Sequence, residues 1–522
     1  MSQEKLLLAL DGGTGSFRAI IFNTLGQQIA VAQREWQHLP DVKYPGSIDF
    51  NCHKNWELIK DCIREILSKD GISPSQIAAI STTSMREGFV IYDDQQSELL
   101  AFSNVDARSN KEAIQLKEEF PDLESEFYEE TGQSFALSAV PRLLWLKKHE
   151  PEKFNKMYKF NMLNDWIAFK LTGKLVTEPS NASTTGLFSL KTRNWNIDLA
   201  QRIGININVL PEVIESGLLI GGVSEKGERE TGLKLGTPVV AGGGDAQLGC
   251  IGIGATKTND IALFGGSFWQ LEYNTNKPDV DQSKKIRVNC HAIPNMWQYE
   301  SIAWSPGLAM TWFRDGFCQY EKDEAKRTGK NVYSLLDPHI KDIPAGSYGM
   351  FALFADEMNF LELKHAAPTF TNFKLEPDKF NKYTFYKAIM ESAGIITYGH
   401  LIRVTKIMNY KPEKITFAGG ASNNPIWCQI IADILGVSIQ TPVEKEATAL
   451  GAALLAGVSV GLYQDLAEAE KLIKWDQTYF PNMENHKIYQ KKYQDWKKIY
   501  KSQLRLSDEG ITTHLWIAPG VK

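Results

Sequence analysis

The residues best suited to chemistry sit in glycine-rich turns that follow short apolar runs. The run at 6–10 is followed by Asp11-Gly12-Gly13-Thr14-Gly15-Ser16. Glycines let backbone N–H groups approach phosphate oxygens, and the Thr14 and Ser16 hydroxyls add donors. A carboxylate at the strand end, Asp11, can hold Mg²⁺ beside those phosphates, directly or through its waters. No Gly-Lys-Ser/Thr follows, so this is not a Walker A loop, and taken alone the segment is equally a tight hairpin turn. Gly265-Gly266-Ser267 repeats the chemistry in the second half with one hydroxyl. Two such turns can grip phosphate from opposite sides of a nucleotide cleft.

Asp245 follows Gly242-Gly243-Gly244 at the end of an apolar run. Side chains at the ends of buried strands project into clefts, where a carboxylate can accept the proton of an attacking hydroxyl. Its bland alternative is a helix N-cap, which does not need three preceding glycines. Arg86-Glu87-Gly88 offers a donor and an acceptor to a polyol, and Asp106 with Arg108 offers the same pair two residues apart. The bland fate of both is a solvated surface ion pair. The nine histidines show no metal spacing, and His291 and His365, beside apolar residues, read as core imidazoles.

These residues need elements to hold them. The runs at 6–10 and 17–22 around the first turn predict a β-hairpin, as do those at 261–264 and 268–273 around the second. The run at 238–241 leads into Gly-Gly-Gly-Asp. The run at 415–418 leads into Gly419-Gly420-Ala421-Ser422-Asn423-Asn424 and a helix over 425–435. Each half thus carries a strand–turn–strand and, later, a strand–Gly loop. Strands such as 77–81 alternate with helical patterns such as 56–67 and 385–407, which predicts α/β layers with a largely buried sheet. The division falls at 1–254 and 255–522. The Lys-, Tyr- and Trp-rich stretch 479–504 reads as a mostly solvated helix.

Composition narrows the function classes. A chain of 522 residues with 57 Lys+Arg against 62 Asp+Glu has no global pull toward nucleic acid, and no basic block makes one locally. No segment reaches the ~18 apolar residues of a membrane span. The run at 6–10 ends at once in Asp11, unlike a signal peptide. Six scattered cysteines without a CxxC fit a reducing compartment. A cytoplasmic protein without nucleic-acid or membrane partners is expected. A homodimer is compatible with the sequence, which fixes no oligomeric state.

Taken together, Asp-Gly-Gly-Thr-Gly-Ser at 11–16, Gly-Gly-Gly-Asp at 242–245, the segment 307–315 with its Trp312-Phe313-Arg314-Asp315, Gly-Gly-Ala-Ser-Asn-Asn at 419–424 and the small-residue stretch 446–453 resemble, in order and spacing, the FGGY family of carbohydrate kinases along nearly the whole chain. The resemblance implies two actin-like, ribonuclease-H-like domains with an ATP cleft between them. It implies ATP and Mg²⁺ as cofactors, with Asp11 and Asp245 at the metal and Asp245 as general base. Gly13, Thr14, Gly15, Ser16, Gly266 and Ser267 would hold phosphates, and Gly307, Met310, Gly420, Ala421 and Asn424 would line the adenosine pocket. Arg86, Glu87, Asp106 and Asp245 would face a small polyhydroxy carbonyl substrate. Within the family, the segments 84–88, 104–108, 312–318 and 365–368 resemble a branch acting on 4,5-dihydroxypentane-2,3-dione at its terminal hydroxyl. Ala246 stands where glycerol kinases have a glutamine that touches the polyol, which argues against glycerol. A ketose kinase, an actin- or Hsp70-like switch ATPase and a catalytically dead sugar-sensing module are the other readings.

Overall fold

In the computed structural model, which describes residues 4–521 except Gln37, Ser267, Trp304 and Ser305, the first glycine-rich turn joins β1 (Leu6–Gly12) and β2 (Ser16–Asn23) in an antiparallel hairpin. β3 (Gln28–Glu35) continues the meander. After helix α1 (Cys52–Leu67), β4 (Ile77–Ser84) returns parallel to β1. β5 (Leu219–Gly222) and β6 (Pro238–Gly244) complete a sheet of order β5-β6-β4-β1-β2-β3. The unbroken apolar run of β1 follows from burial on both faces. Leu6, Leu8 and Leu10 share a core with Ile59, Ile63 and Ile66 of α1. Leu7 and Ala9 point the other way, into a second core.

β6 runs directly into α2 (Asp245–Gly252). The second sheet then assembles from β7 (Ile261–Gly265), β8 (Trp269–Thr275), β9 (Arg287–Cys290) and β10 (Trp297–Ala303). Helices α3 (Pro306–Phe317) and α4 (Lys382–Met408) lead to β11 (Lys414–Ala418). α5 (Pro425–Leu435), β12 (Ser438–Pro442), α6 (Ala447–Ser459), β13 (Trp475–Tyr479) and α7 (Met483–Asp508) follow. The order is β9-β10-β8-β7-β11-β12-β13. Read from β3 and from β10, the two sheets show the same succession of two antiparallel, two parallel and one antiparallel pairing. The repeated motifs therefore mark a repeated topology.

The halves meet through α2 and α6. A Cβ on Gly252 would lie 1.8 Å from the Ala447 carbonyl oxygen, and one on Gly451 would lie 1.9 Å from that of Leu248. The glycines are thus required by backbone contact at both crossings. α6 comes from beyond residue 254, yet Leu450 and Leu454 join Leu7 and Ala9 in the core of the first sheet.

The expectation of a mostly solvated C-terminal helix is corrected. Tyr489, Tyr493, Trp496 and Tyr500 of α7 are buried, an aromatic stripe at i, i+4, i+7 and i+11 that faces the second unit's core. The lysines between them occupy the other face, apart from Lys492, whose buried Nζ donates to the carbonyls of Gly346 and Met350. All six cysteines are buried and unbridged. No described helix is long and apolar enough to cross a membrane.

Candidate active site

Three parallel strands end side by side. Gly12 of β1 and Gly244 of β6 both lie opposite Ser84 of β4, so their carboxyl ends deliver Asp11, the loop carrying Arg86 and Glu87, and Asp245 to one edge of the sheet. Beyond that edge lies a cavity of about 730 Å³ between the halves. The first half lines it with Thr14, Arg86, Glu87, Asp106, Arg142 and Asp245, and the second with residues that include Gln270, Arg287 and Trp312.

Asp245 opens α2 but does not cap it: Gly244 occupies the N-cap without a side-chain bond. Asp245 Oδ1 accepts from the Ala246 amide at 2.8 Å and lies 3.3 Å from Arg86 Nε. A Cβ on Gly244 would come within 3.0 Å of Arg86 Cγ, so the bare strand end lets the arginine lie across it. Arg86 also pairs with Glu300, which is fully buried on β10. Burial disfavours the guanidinium charge, and Glu300, Glu87 and Asp245 outweigh that, raising the Arg86 pKa. Burial raises the Asp245 pKa above the usual carboxylate range, with Arg86 opposing and Glu87 adding to the rise.

Glu87 adopts a left-handed backbone with φ 64°, uncommon for a residue with a side chain. Its carbonyl accepts from Arg142 Nη1 at 2.7 Å, and its carboxylate pairs with Arg287. Arg142 also donates to the carbonyls of Asn104 and Asp106 at 3.2 and 3.3 Å, stapling the 86–88 and 104–108 loops together. Asp106 itself is engaged. It accepts from the Ile48 amide at 2.7 Å and from Arg108 Nε at 2.8 Å, so its carboxylate anchors the loop whose surface faces the cavity. Neither of these motifs is a solvated ion pair: Arg86, Asp106 and Arg108 are all buried.

The first turn has its carbonyls held by its neighbours. Trp36 Nε1 binds the Gly13 carbonyl at 2.9 Å, the His38 ring contacts that of Thr14 at 2.7 Å, and the Trp36 amide binds that of Gly15 at 3.3 Å. In a trans peptide the N–H points opposite to the C=O. With three successive carbonyls engaged, the amides of Thr14, Gly15 and Ser16 are left to the opposite side, a backbone arrangement that could take an anion. The Thr14 hydroxyl accepts from Asn104 Nδ2 at 3.0 Å, which ties the nest to the 104–108 loop.

Asp11 is buried, and burial lifts its pKa to about 7; Arg18 opposes this, while Asp245 and Glu446 add to it. Asp245 adds to the raised pKa of Asp11, and with Arg18 paired to Glu446 and Arg86 to Glu300 these two carboxylates could hold a divalent cation. No group of three or more ligating side chains occurs among the described residues.

On the opposite side, the turn at Gly265 and Gly266 abuts the 419–424 loop. Gly419 has φ 90°, and a Cβ there would lie 2.7 Å from the Gly265 carbonyl oxygen. Gly420 and Ala421 lie in this loop. Asn424 caps α5 through the Ile426 and Trp427 amides and binds Asp337 at 3.0 Å. Gly307 lies in the first turn of α3, and the Met310 side chain is buried in the core. Ser267 lies outside the described residues. His291 and His365 are buried as expected, and burial pulls their pKa values to about 3 and about 4.

Sequence reasoning missed Arg142, Arg287, Glu300 and Glu272. The last three lie opposite one another across β9, β10 and β8. Glu300 is held below its usual pKa because Arg86 and Arg287 outweigh its burial. Glu272 is pushed well above by burial and by Glu300. Their signal is the period-2 polar residues of 269–275 and 297–303, a pattern that ordinarily marks a solvent face. Here it marks a polar layer under the cleft.

Two α/β units of one topology thus border a cleft that carries the first glycine-rich turn and a strand-end carboxylate. The sequence profiles of the FGGY family of carbohydrate kinases match residues 6–252 with the N-terminal domain and 280–460 with the C-terminal domain. The chain belongs to the FGGY family of carbohydrate kinases. It is 46% identical over 517 residues to the autoinducer-2 kinase of Salmonella typhimurium, covering 99% of this chain and 98% of that one. The autoinducer-2 kinase of Escherichia coli K12 is 46% identical over 524 residues, covering 100% and 99%. Among solved structures, gluconate kinase from Lactobacillus acidophilus superposes with a TM-score of 0.84 at 23% identity, covering 96% of this chain and 98% of that one. Xylulose kinase from Rhodospirillum rubrum superposes with a TM-score of 0.83 at 22% identity, covering 95% and 99%. These two share the fold.

Proposed function

We propose that the protein transfers the γ-phosphoryl group of ATP to the terminal 5-hydroxyl of 4,5-dihydroxypentane-2,3-dione, the autoinducer-2 precursor. The observation that carries phosphoryl transfer is the convergence of the Thr14–Ser16 amides, Asp11 and Asp245 at one sheet edge. The substrate reading is supported by the two 46%-identical relatives named autoinducer-2 kinase. It is also supported by the charge balance of the cleft. Arg86 and Arg287 are matched by Glu300, Asp245 and Glu87, and Arg142 is satisfied by backbone carbonyls. Apart from Arg287 Nη2, which has no hydrogen-bond partner among the described residues, these cations are already engaged, which favours an uncharged acceptor.

In this reading the repeated sheets are the actin-like, ribonuclease-H-like pair. The amides of the first turn and Ser267 hold phosphates, while Gly307, Met310, Gly420 and Ala421 border the adenosine, and Asn424 fixes its loop. Asp11 and Asp245 would hold Mg²⁺, which would supply charge neutralisation at the phosphates. Asp245 takes the hydroxyl proton late in the transfer, and Arg86 orients its carboxylate. Glu87 accepts from a substrate hydroxyl. The α2–α6 contact is the hinge about which the halves close to exclude water. The site is cytoplasmic chemistry on a small molecule and needs no macromolecular partner.

The test is ADP release with Mg-ATP across the dione, glycerol, xylulose, ribulose and rhamnulose. Selective turnover of the dione is expected. A ketose preference overturns the substrate assignment, and absence of turnover with ATP bound overturns the kinase reading.

A further inference from the structure

After α7 the chain turns back across the mouth of the cavity. The turn is pinned by Lys364 Nζ on Asp508 at 2.6 Å and by the Ser507 and Thr512 hydroxyls at 2.8 Å. Trp516–Ile517 then pairs antiparallel with Lys364–His365. The Leu515 amide donates to the His365 carbonyl and the Ala518 amide to that of Leu363, both at 2.9 Å. The Trp516 and His365 rings stack at 5.9 Å.

The strap reaches both halves. Ala518 is buried against Tyr128 and Ala136 of the first half and Phe360 and Leu363 of the second. The Gly520 amide donates to Asn110 Oδ1 at 2.7 Å, where a Cβ on Gly520 would come within 2.7 Å of Ala113 Cβ. Around these attachments, Leu515, Trp516 and Pro519 line the cavity, as do the apolar Leu308, Trp312 and Pro368. The polar side carries Arg86, Glu87, Asp245 and Arg287. The strap lies outside both stretches matched by the family, which end at residues 252 and 460.

We infer that this C-terminal strap is a specificity wall of the acceptor site, and that Leu515, Trp516 and Pro519 seat the uncharged, apolar end of the acceptor while its hydroxyl end meets Arg86, Glu87 and Asp245. The inference rests on the reading that the acceptor occupies this cavity. The dione ends in a methyl ketone, whereas ketoses of similar length end in a hydroxymethyl group. An apolar wall leaves that added hydroxyl without a partner, a penalty of about tenfold to a hundredfold in discrimination. Leu515 is 45% exposed, and a methyl group resting on it would bury that surface.

The experiment compares the wild type with a chain ending after Thr513 and with Trp516→Ala, which keeps the backbone pairing and tests the ring should the shortened chain not fold. Asn110→Ala removes the Gly520 hydrogen bond to the first half and leaves the packing of Ala518 in place. Acceptor KM, ATP KM and the ratio of kcat/KM for the dione to that for xylulose are measured. The expected result is a rise of about tenfold in dione KM, an ATP KM within about twofold, and a ratio that falls about tenfold. An unchanged acceptor KM and ratio in folded variants overturn the inference. So does a shift confined to the ATP KM, which would place the strap at the donor. If the wild type prefers a ketose, the substrate assignment fails separately, and the strap is judged by the same KM comparison on that ketose.

Discussion

Replacing Arg86 by Met removes the strongest opposing influence on the raised pKa of Asp245. An arginine beside an aspartate lowers its pKa by about 1–3 units, each worth about 1.4 kcal/mol. The pair is 3.3 Å apart, but the Asp245 side chain is 37% exposed. Solvent screening therefore places the effect at about 1–2 units. Asp245 must be ionised to accept a proton, so losing the arginine moves the acid limb of the kcat/KM profile upward by about 1–2 pH units. The same change strands Glu300, which is fully buried and keeps Arg287 at 3.3 Å as its remaining cation beside a hydrogen bond with Glu272. Breaking a buried ion pair in this way costs about 3–5 kcal/mol. The Glu300 pKa is held down in the folded protein, so its stabilising contribution is present above the ordinary glutamate pKa and is lost as pH falls through its folded value. The stability gap between Arg86→Met and wild type is thus widest near neutrality and closes in acid. ADP release from about pH 5 to about pH 9 reads the limb, and urea unfolding across the same range reads the gap. Arg86→Lys retains the charge and should hold the limb within about half a unit. An Arg86→Met limb that stays in place, or moves down, refutes the assigned pairing.

Asp245→Asn should lower kcat by about 10²–10⁴ with ATP affinity within about threefold, measured by steady-state ADP release and titration calorimetry. Gly451→Ala places a methyl 1.9 Å from the Leu248 carbonyl oxygen. It should cost about 3 kcal/mol in urea unfolding and reduce turnover per folded molecule, because α2 carries Asp245.

The sequence by itself determined the strand–turn–strand and strand–Gly loop landmarks, because a buried sheet demands continuous apolar runs and because only glycine permits the close approaches at the turns. It also placed Asp11 and Asp245 at strand ends, where a parallel sheet presents side chains, and Thr14 in the turn that follows. It could not show that Asp106 is engaged by Arg108 and the Ile48 amide, that Arg142 staples two loops through their carbonyls, or that Arg287, Glu300 and Glu272 form a polar layer beneath the cleft. These depend on contacts between residues far apart in the chain, and a period-2 polar face reads alike whether it meets water or a second domain. The aromatic stripe of α7 was legible at helical spacing but was masked by the lysines between its members. The strap at 514–521 carries no local signature. Its place on the cavity was decided only by the return of α7 to the second unit and by the turn at Gly520 that brings the chain end onto the first.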